Sequence, residues 1–151
     1  MARIIGTIQL DSGSVKNEHI LSTERIDADL QQHLYRASSN FALANTATPV
    51  ARTEVVFVAE QAGTIRQFAA MCYDSGTAAS VTFDLLKNGT TCLSTPVNVV
   101  HGTGDRVVVD GTLTVTTFAA GDVFTMALAV SSSTGMQGPF SWATFEEGNA
   151  P

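Results

Sequence analysis

Between residues 53 and 145, turn signals interrupt the chain roughly every 8–12 residues, which leaves room for strands and little room for helices. Thr53–Glu60 is β-branched and apolar, and Gly63–Tyr73 follows a break at Gln61-Ala62. In Ser80–Lys87, Val81, Phe83 and Leu85 share one side while Ser80, Thr82 and Asp84 share the other. That period of two marks a half-buried strand. Asn88-Gly89 follows at once. A type I′ hairpin turn needs positive φ at both central residues, and Asn-Gly meets that requirement at low steric cost. Further strands are expected over Pro96–Val100, Arg106–Val109, a segment with Leu113 and Val115, a long run with Phe124, Met126, Leu128 and Val130 on one face, and Pro139–Phe145. His101–Asp105, Asp110-Gly111, Gly121-Asp122 and Ser131–Gly138 separate them as turns or loops. The total is about eight or nine strands. The expected fold class is all-β: an antiparallel β-sandwich, jelly-roll-like rather than a smaller barrel.

The first third of the chain reads differently. Residues 3–10 alternate, with Ile4, Gly6, Ile8 and Leu10 on one side, and Asp11-Ser12-Gly13-Ser14 ends this short strand. Ile26, Leu30, His33 and Leu34 recur at helical spacing, with Asp27 and Asp29 early and Arg36 late, as a helix dipole favours. This predicts a short helix over 27–36. Residues 37–53, rich in Ala, Ser, Asn and Thr, read as a linker. The organisation expected is therefore an N-terminal arm and linker over 1–52 and a sandwich over 53–151. The arm has too few apolar residues for its own core and too many for a solvated tail. Ile4, Ile8, Leu10, Ile20, Leu21, Ile26, Leu30 and Leu34 are its candidate partner-binding residues. Such a segment gains order by lying on another surface, and a terminal strand can add to a neighbouring sheet edge. Folding back on its own sandwich is the alternative; docking on a partner is the preferred reading.

Charge narrows the classes of partner. The net charge is −6. Residues 1–52 carry five cations and five carboxylates, so the whole imbalance lies in 53–151, where Arg66, Lys87 and Arg106 oppose nine carboxylates. Nucleic-acid binding draws affinity from Lys and Arg on phosphates, so no nucleic-acid partner is expected. No apolar run approaches the ~18 residues of a membrane span, so no membrane partner is expected either. The start, Met1-Ala2-Arg3-Ile4-Ile5-Gly6-Thr7, lacks a long apolar secretory segment, and the chain is expected to be made and used without signal-peptide export.

No residue set points to catalysis. A triad needs a nucleophile, a base and an orienting group. His19 and His33 lie in the arm; His101 has Asp105 nearby, but reads as an exposed loop histidine. Cys72 and Cys92 lack metal-ligand spacing and read as strand thiols, with their pairing left open. Asp74, Asp105, Asp110 and Asp122 fall at turns, which turn hydrogen bonding accounts for better than calcium. Glu146 and Glu147 read as a solvated end rather than a catalytic pair. No catalytic, metal or cofactor residue is assigned. Trp142, Phe140 and Tyr73 are compatible with a sugar-stacking face, although core packing is the preferred reading for them.

Two blocks carry a family resemblance. One is Gly6-Thr7-Ile8-Gln9-Leu10-Asp11-Ser12-Gly13-Ser14-Val15, continued by Ile26-Asp27-Ala28-Asp29 up to Leu34-Tyr35. The other is Val81-Thr82-Phe83-Asp84-Leu85-Leu86-Lys87-Asn88-Gly89-Thr90-Thr91, with a later Ala120-Gly121-Asp122-Val123. With these strand and turn patterns, over most of its length, the chain resembles tailed-bacteriophage virion structural proteins of the capsid decoration, or cement, type. The resemblance implies a jelly-roll body on the outer surface of the capsid and synthesis in the host cytoplasm. It also implies an arm clamping the major capsid protein, and a homo-oligomer, most often a trimer. Similar modules in tail and fibre proteins give the alternative: a receptor- or carbohydrate-binding β-sandwich.

Overall fold

The computed structural model describes residues 33–41 and 47–148. The expected strand over 3–10, the first part of the expected helix, and Ile4, Ile8, Leu10, Ile20, Leu21, Ile26 and Leu30 lie outside the described residues. Among those described, eight strands form one antiparallel sheet: β1 (His33–Asn40), β2 (Arg52–Val58), β3 (Gly63–Lys87), β4 (Thr90–Thr91), β5 (Val97–Val100), β6 (Val109–Asp110), β7 (Thr117–Phe118) and β8 (Val123–Glu147). One 3-10 turn, His101–Thr103, follows β5.

The two 25-residue strands, β3 and β8, organise the rest. They pair from Gly63↔Glu147 to Lys87↔Phe124. Local patterning suggests two strands in each, broken at 74–79 and 131–138. Instead those two polar, small-residue segments pair with one another, as in Ser75↔Met136 and Ala78↔Thr134, with a register shift between. Gly76 and Gly135 face this irregularity with φ of 71° and 74°. A Cβ on Gly76 would stand 2.5 Å from the Thr134 carbonyl oxygen. Glycine therefore permits both the positive φ and the close approach, and a bulge with positive-φ glycines bends a strand pair.

The bend curls the sheet on itself into a half-barrel. One half holds β1 beside β8, with β6 and β7 on the far side of β3; the other holds β2 beside β8, with β4 and β5 on the far side of β3. All-β antiparallel character is as expected. Among the described residues all eight strands belong to one sheet.

Apolar side chains fill the curl. Val81, Phe83 and Leu85 of β3 and Phe124, Met126 and Leu128 of β8 are buried, on the faces that alternation assigns them. Phe68, Ala70, Cys72, Ala143 and Phe145 oppose them from the other half. Phe57 and Phe145 stack at 4.4 Å, Phe124 and Phe145 lie 4.8 Å apart, and Phe118 meets Phe124 edge-on at 5.4 Å. Each such ring contributes about 1.5–3 kcal/mol by burial before entropy is counted.

The hairpin is built as the sequence predicts. Asn88 and Gly89 have φ of 50° and 84°, joining Lys87 to Thr90. Asn88 Nδ2 donates to Asp122 Oδ1 at 2.6 Å, and Asn88 Oδ1 accepts the Val123 N–H at 2.8 Å. The Ala119 N–H and Asn88 amide on Asp122 hold its carboxyl below the usual range.

Three expectations need correction. Residues 33–36 are strand, not the end of a helix. The free edge of β8 offers backbone partners to eight consecutive residues, from His33↔Glu147 to Asn40↔Phe140, and this ladder outweighs a weak helical period. The linker reading of 37–53 yields in the same way, because Ala37–Asn40 complete β1 and Arg52 begins β2. Nor do Glu146 and Glu147 form a solvated end. Glu146 pairs with Arg66, and buried Glu147 accepts the backbone N–H groups of Glu60 and Gln61 at 2.8 and 3.3 Å.

Candidate functional site

The mouth of the curl is where β1 and β2 meet. Each pairs with β8 on one side; among the described residues neither pairs with a strand on its other side. Side chains bridge the gap instead. Ser39 Oγ donates to Glu54, which also holds Arg52, and Tyr35 lies 6.0 Å from Phe57. Apolar residues stand exposed along this rim: Leu34 at 69%, Tyr35 at 41%, Val55 at 64% and Val58 at 52%. Leu34 is thus the one arm residue of the sequence prediction whose surroundings are described, and it is uncovered. Open edges with exposed apolar residues invite pairing with another chain. The opposite margin is shielded, because the segment from Thr90 to Phe118 folds over it through β4 to β7 and a Leu93↔Leu113 bridge.

A second surface lies on the outside of the half that carries β1. Along β8, Ser141, Ala143 and Phe145 point into the core, so Phe140, Trp142, Thr144 and Glu146 point out. This corrects the expectation that Trp142, Phe140 and Tyr73 are core residues; none of them is. Register explains the depression around them. Trp142 sits between Ser38 on β1 and Ala69 on β3, two small residues that leave the indole standing above its row. Phe140 sits between Asn40 and Met71, and its ring lies 5.7 Å from that of Trp142. Two hollows result. One, of about 290 Å³, is lined by Asn40, Met71, Tyr73, Arg106, Gly138 and Phe140. The other, of about 280 Å³, is lined by Arg36, Ser38, Met71, Phe140 and Trp142. Met71 and Phe140 border both, so they adjoin as one trough. Patterning placed aromatics in these strands, but nothing local said which face would turn inward.

The remaining candidates are structural. Asp105 Oδ1 accepts the N–H and hydroxyl of Ser75, at 2.9 and 3.0 Å, and those bonds hold its carboxyl below the usual range. It braces the bend of β3 rather than orienting His101, which is exposed. Cys72 and Cys92 are buried and unbonded to each other, and Cys72 Sγ donates to Met136 Sδ at 3.4 Å. Burial pushes the Cys72 thiol up to about 12 and the Cys92 thiol up to about 11. No group of three or more His, Cys, Asp or Glu among the described residues is placed to hold a metal ion. Among those residues, no helix is long and apolar enough to cross a membrane.

Comparison with known proteins found no matching family model and no match among the curated proteins.

Proposed function

We propose that the chain is a structural binding module that docks on a multi-subunit surface, and specifically a decoration protein of a tailed-phage capsid. The observation that carries this reading is the β1–β2 mouth, with Leu34, Tyr35, Val55 and Val58 exposed and neither strand paired on its other side among the described residues. Residues 1–32 enter the fold at His33, at one end of this mouth. The expected arm precedes β1 in the sequence, and the clamping of neighbouring subunits that the family resemblance implies would draw on both. Burying the exposed apolar rim contributes about 25 cal/mol per Å² before association entropy is subtracted, and a stable contact needs roughly 1,000 Å² or more. The negative charge of the body keeps it soluble while the neutral arm makes contact. The partner in this reading is the major capsid protein, and the working form is a homotrimer on the outer surface of the virion.

Co-sedimentation with phage heads stripped of decoration protein tests the reading. The full chain pellets with heads and raises the temperature at which they break open. Deleting residues 1–32, which leaves β1 intact, weakens attachment; Val55→Lys weakens it too, with an unchanged circular dichroism spectrum. Failure of the full chain to bind heads, together with a monomeric sedimentation velocity profile, refutes the proposal.

A further inference from the structure

The trough on the outer face borders the docking edge, sharing Arg36 and Ser38 of β1 with it, and its chemistry is specific. Five Lys and Arg residues lie among the described residues: Arg36, Arg52, Arg66, Lys87 and Arg106. Three meet carboxylates, in Arg52–Glu54, Arg66–Glu146 and Lys87–Asp122. Neither Arg36 nor Arg106 forms a salt bridge among the described residues, although Asp105 feels the charge of Arg106, and each lines one of the two hollows. In a chain of net charge −6, the two described cations outside those salt bridges thus flank the same aromatic surface.

Arg106 is held there by its backbone. Its φ is 57°, an uncommon value for a residue with a side chain. Its N–H donates to the Cys72 carbonyl at 2.9 Å, and its guanidinium lies 5.1 Å from the centre of the Tyr73 ring. Trp142 adds a second irregularity. Its indole Nε1 is covered and has no acceptor among the described residues, although a buried donor normally has one.

We propose that this trough binds an acidic oligosaccharide, with sugar rings stacked on Trp142 and Phe140 and their carboxylates held by Arg36 and Arg106. The apolar face of a pyranose suits an aromatic ring, and a guanidinium fork matches a carboxylate in two parallel hydrogen bonds. Ser38 offers a hydroxyl on the rim. Each hollow is near the small end of ligand sites, and their shared wall favours a short chain over one compact molecule.

Trp142 is the only tryptophan, so the emission of the full-length protein reports on this face alone. The probes are tetragalacturonate, α2,8-linked tetrasialate, the methyl ester of tetragalacturonate, and a tetraglutamate peptide. The expected result is a saturable emission change with at least one of the two acidic sugars. Methyl esterification removes the charge and keeps the rings, and the response is lost with it. Arg36→Gln and Arg106→Gln each weaken binding by about tenfold, as expected for loss of a charged hydrogen bond. Trp142→Phe, followed by calorimetry, weakens it while the dichroism spectrum stays the same. No saturable response to either acidic sugar overturns the proposal. So does equal binding of the ester, which removes the role of charge, or of the peptide, which removes the role of the sugar ring.

Discussion

Substituting alanine at Gly76, Gly135 and Gly89 separates the two demands that the bend places on its glycines. All three have positive φ, at 71°, 74° and 84°. Forcing a Cβ into that region costs about 1–2 kcal/mol, partly offset because alanine also restricts the unfolded chain by about 0.4–1 kcal/mol. The space around them differs. At Gly89 no atom lies within 4 Å of an added Cβ; at Gly135 the nearest is Gly76 Cα at 3.4 Å. At Gly76 the Thr134 carbonyl oxygen is at 2.5 Å and the Met136 nitrogen at 2.6 Å, both backbone. Backbone atoms of a paired strand cannot swing aside as a side-chain tip can, so overpacking adds about 1–3 kcal/mol there. Gly89→Ala is expected to cost about 1 kcal/mol, Gly135→Ala slightly more, and Gly76→Ala about 2–4 kcal/mol. Urea unfolding followed by dichroism at 218 nm (the ~218 nm strand band) measures all three, given two-state behaviour. Equal losses at Gly76 and Gly89 would refute the claim that close approach of β3 and β8 shapes the curl.

Phe145→Ala removes the ring shared by Phe57, Phe118 and Phe124, and is expected to lower stability by about 3–5 kcal/mol in the same assay. Glu147→Ala strips the acceptor from the Glu60 and Gln61 N–H groups; a loss of about 1–3 kcal/mol is expected, and a neutral result would mean those groups reach water. The thiols give a pH signature. Both have folded values above the ordinary 9.0, so above pH 9 the unfolded chain releases protons that the folded chain keeps, and stability falls as pH rises towards 11–12. The slope is on the order of 1 kcal/mol per pH unit for each thiol; the Cys72→Ala, Cys92→Ala double variant should lose that part of the decline in alkaline unfolding curves. At the acid end, Asp105, Asp122 and Glu146 have lowered values, so their contribution is present above the ordinary carboxylate range and disappears as pH falls through the folded values. Asp122→Asn should flatten part of that acid dependence.

Much of the strand content was legible because it rests on neighbours in the chain. Val81, Phe83 and Leu85 alternate with polar residues, and a strand places alternate side chains on opposite faces whatever lies around it. Asn88-Gly89 carries its own turn, since positive φ is a local property of those residues. The breaks at 74–79 and 131–138 misled for the converse reason. Gly, Ser and Thr weaken a strand in isolation, but here the two weak segments face each other and supply one another's hydrogen bonds. The helical reading failed at residues 33–36, where an open edge of β8 competed for the same backbone.

The candidate trough was half visible. Aromatic residues were evident in the last strand, but Phe140 and Trp142 alternate with Ser141, Ala143 and Phe145, so both faces carry apolar groups. Alternation divides residues between two sides without saying which side is inside. The hand of the curl made that choice, setting Phe145 among the other rings and leaving Trp142 outside between Ser38 and Ala69. Sequence alone determined the alternating runs around Val81–Leu85 and Phe124–Leu128, the hairpin and the acidic body, because these follow from bonds and charges that travel with the chain. Tertiary structure decided the single curled sheet, the open mouth and the gathering of Arg36, Arg106 and Trp142. Those depend on which distant segments pack together, and packing is a property of the whole fold.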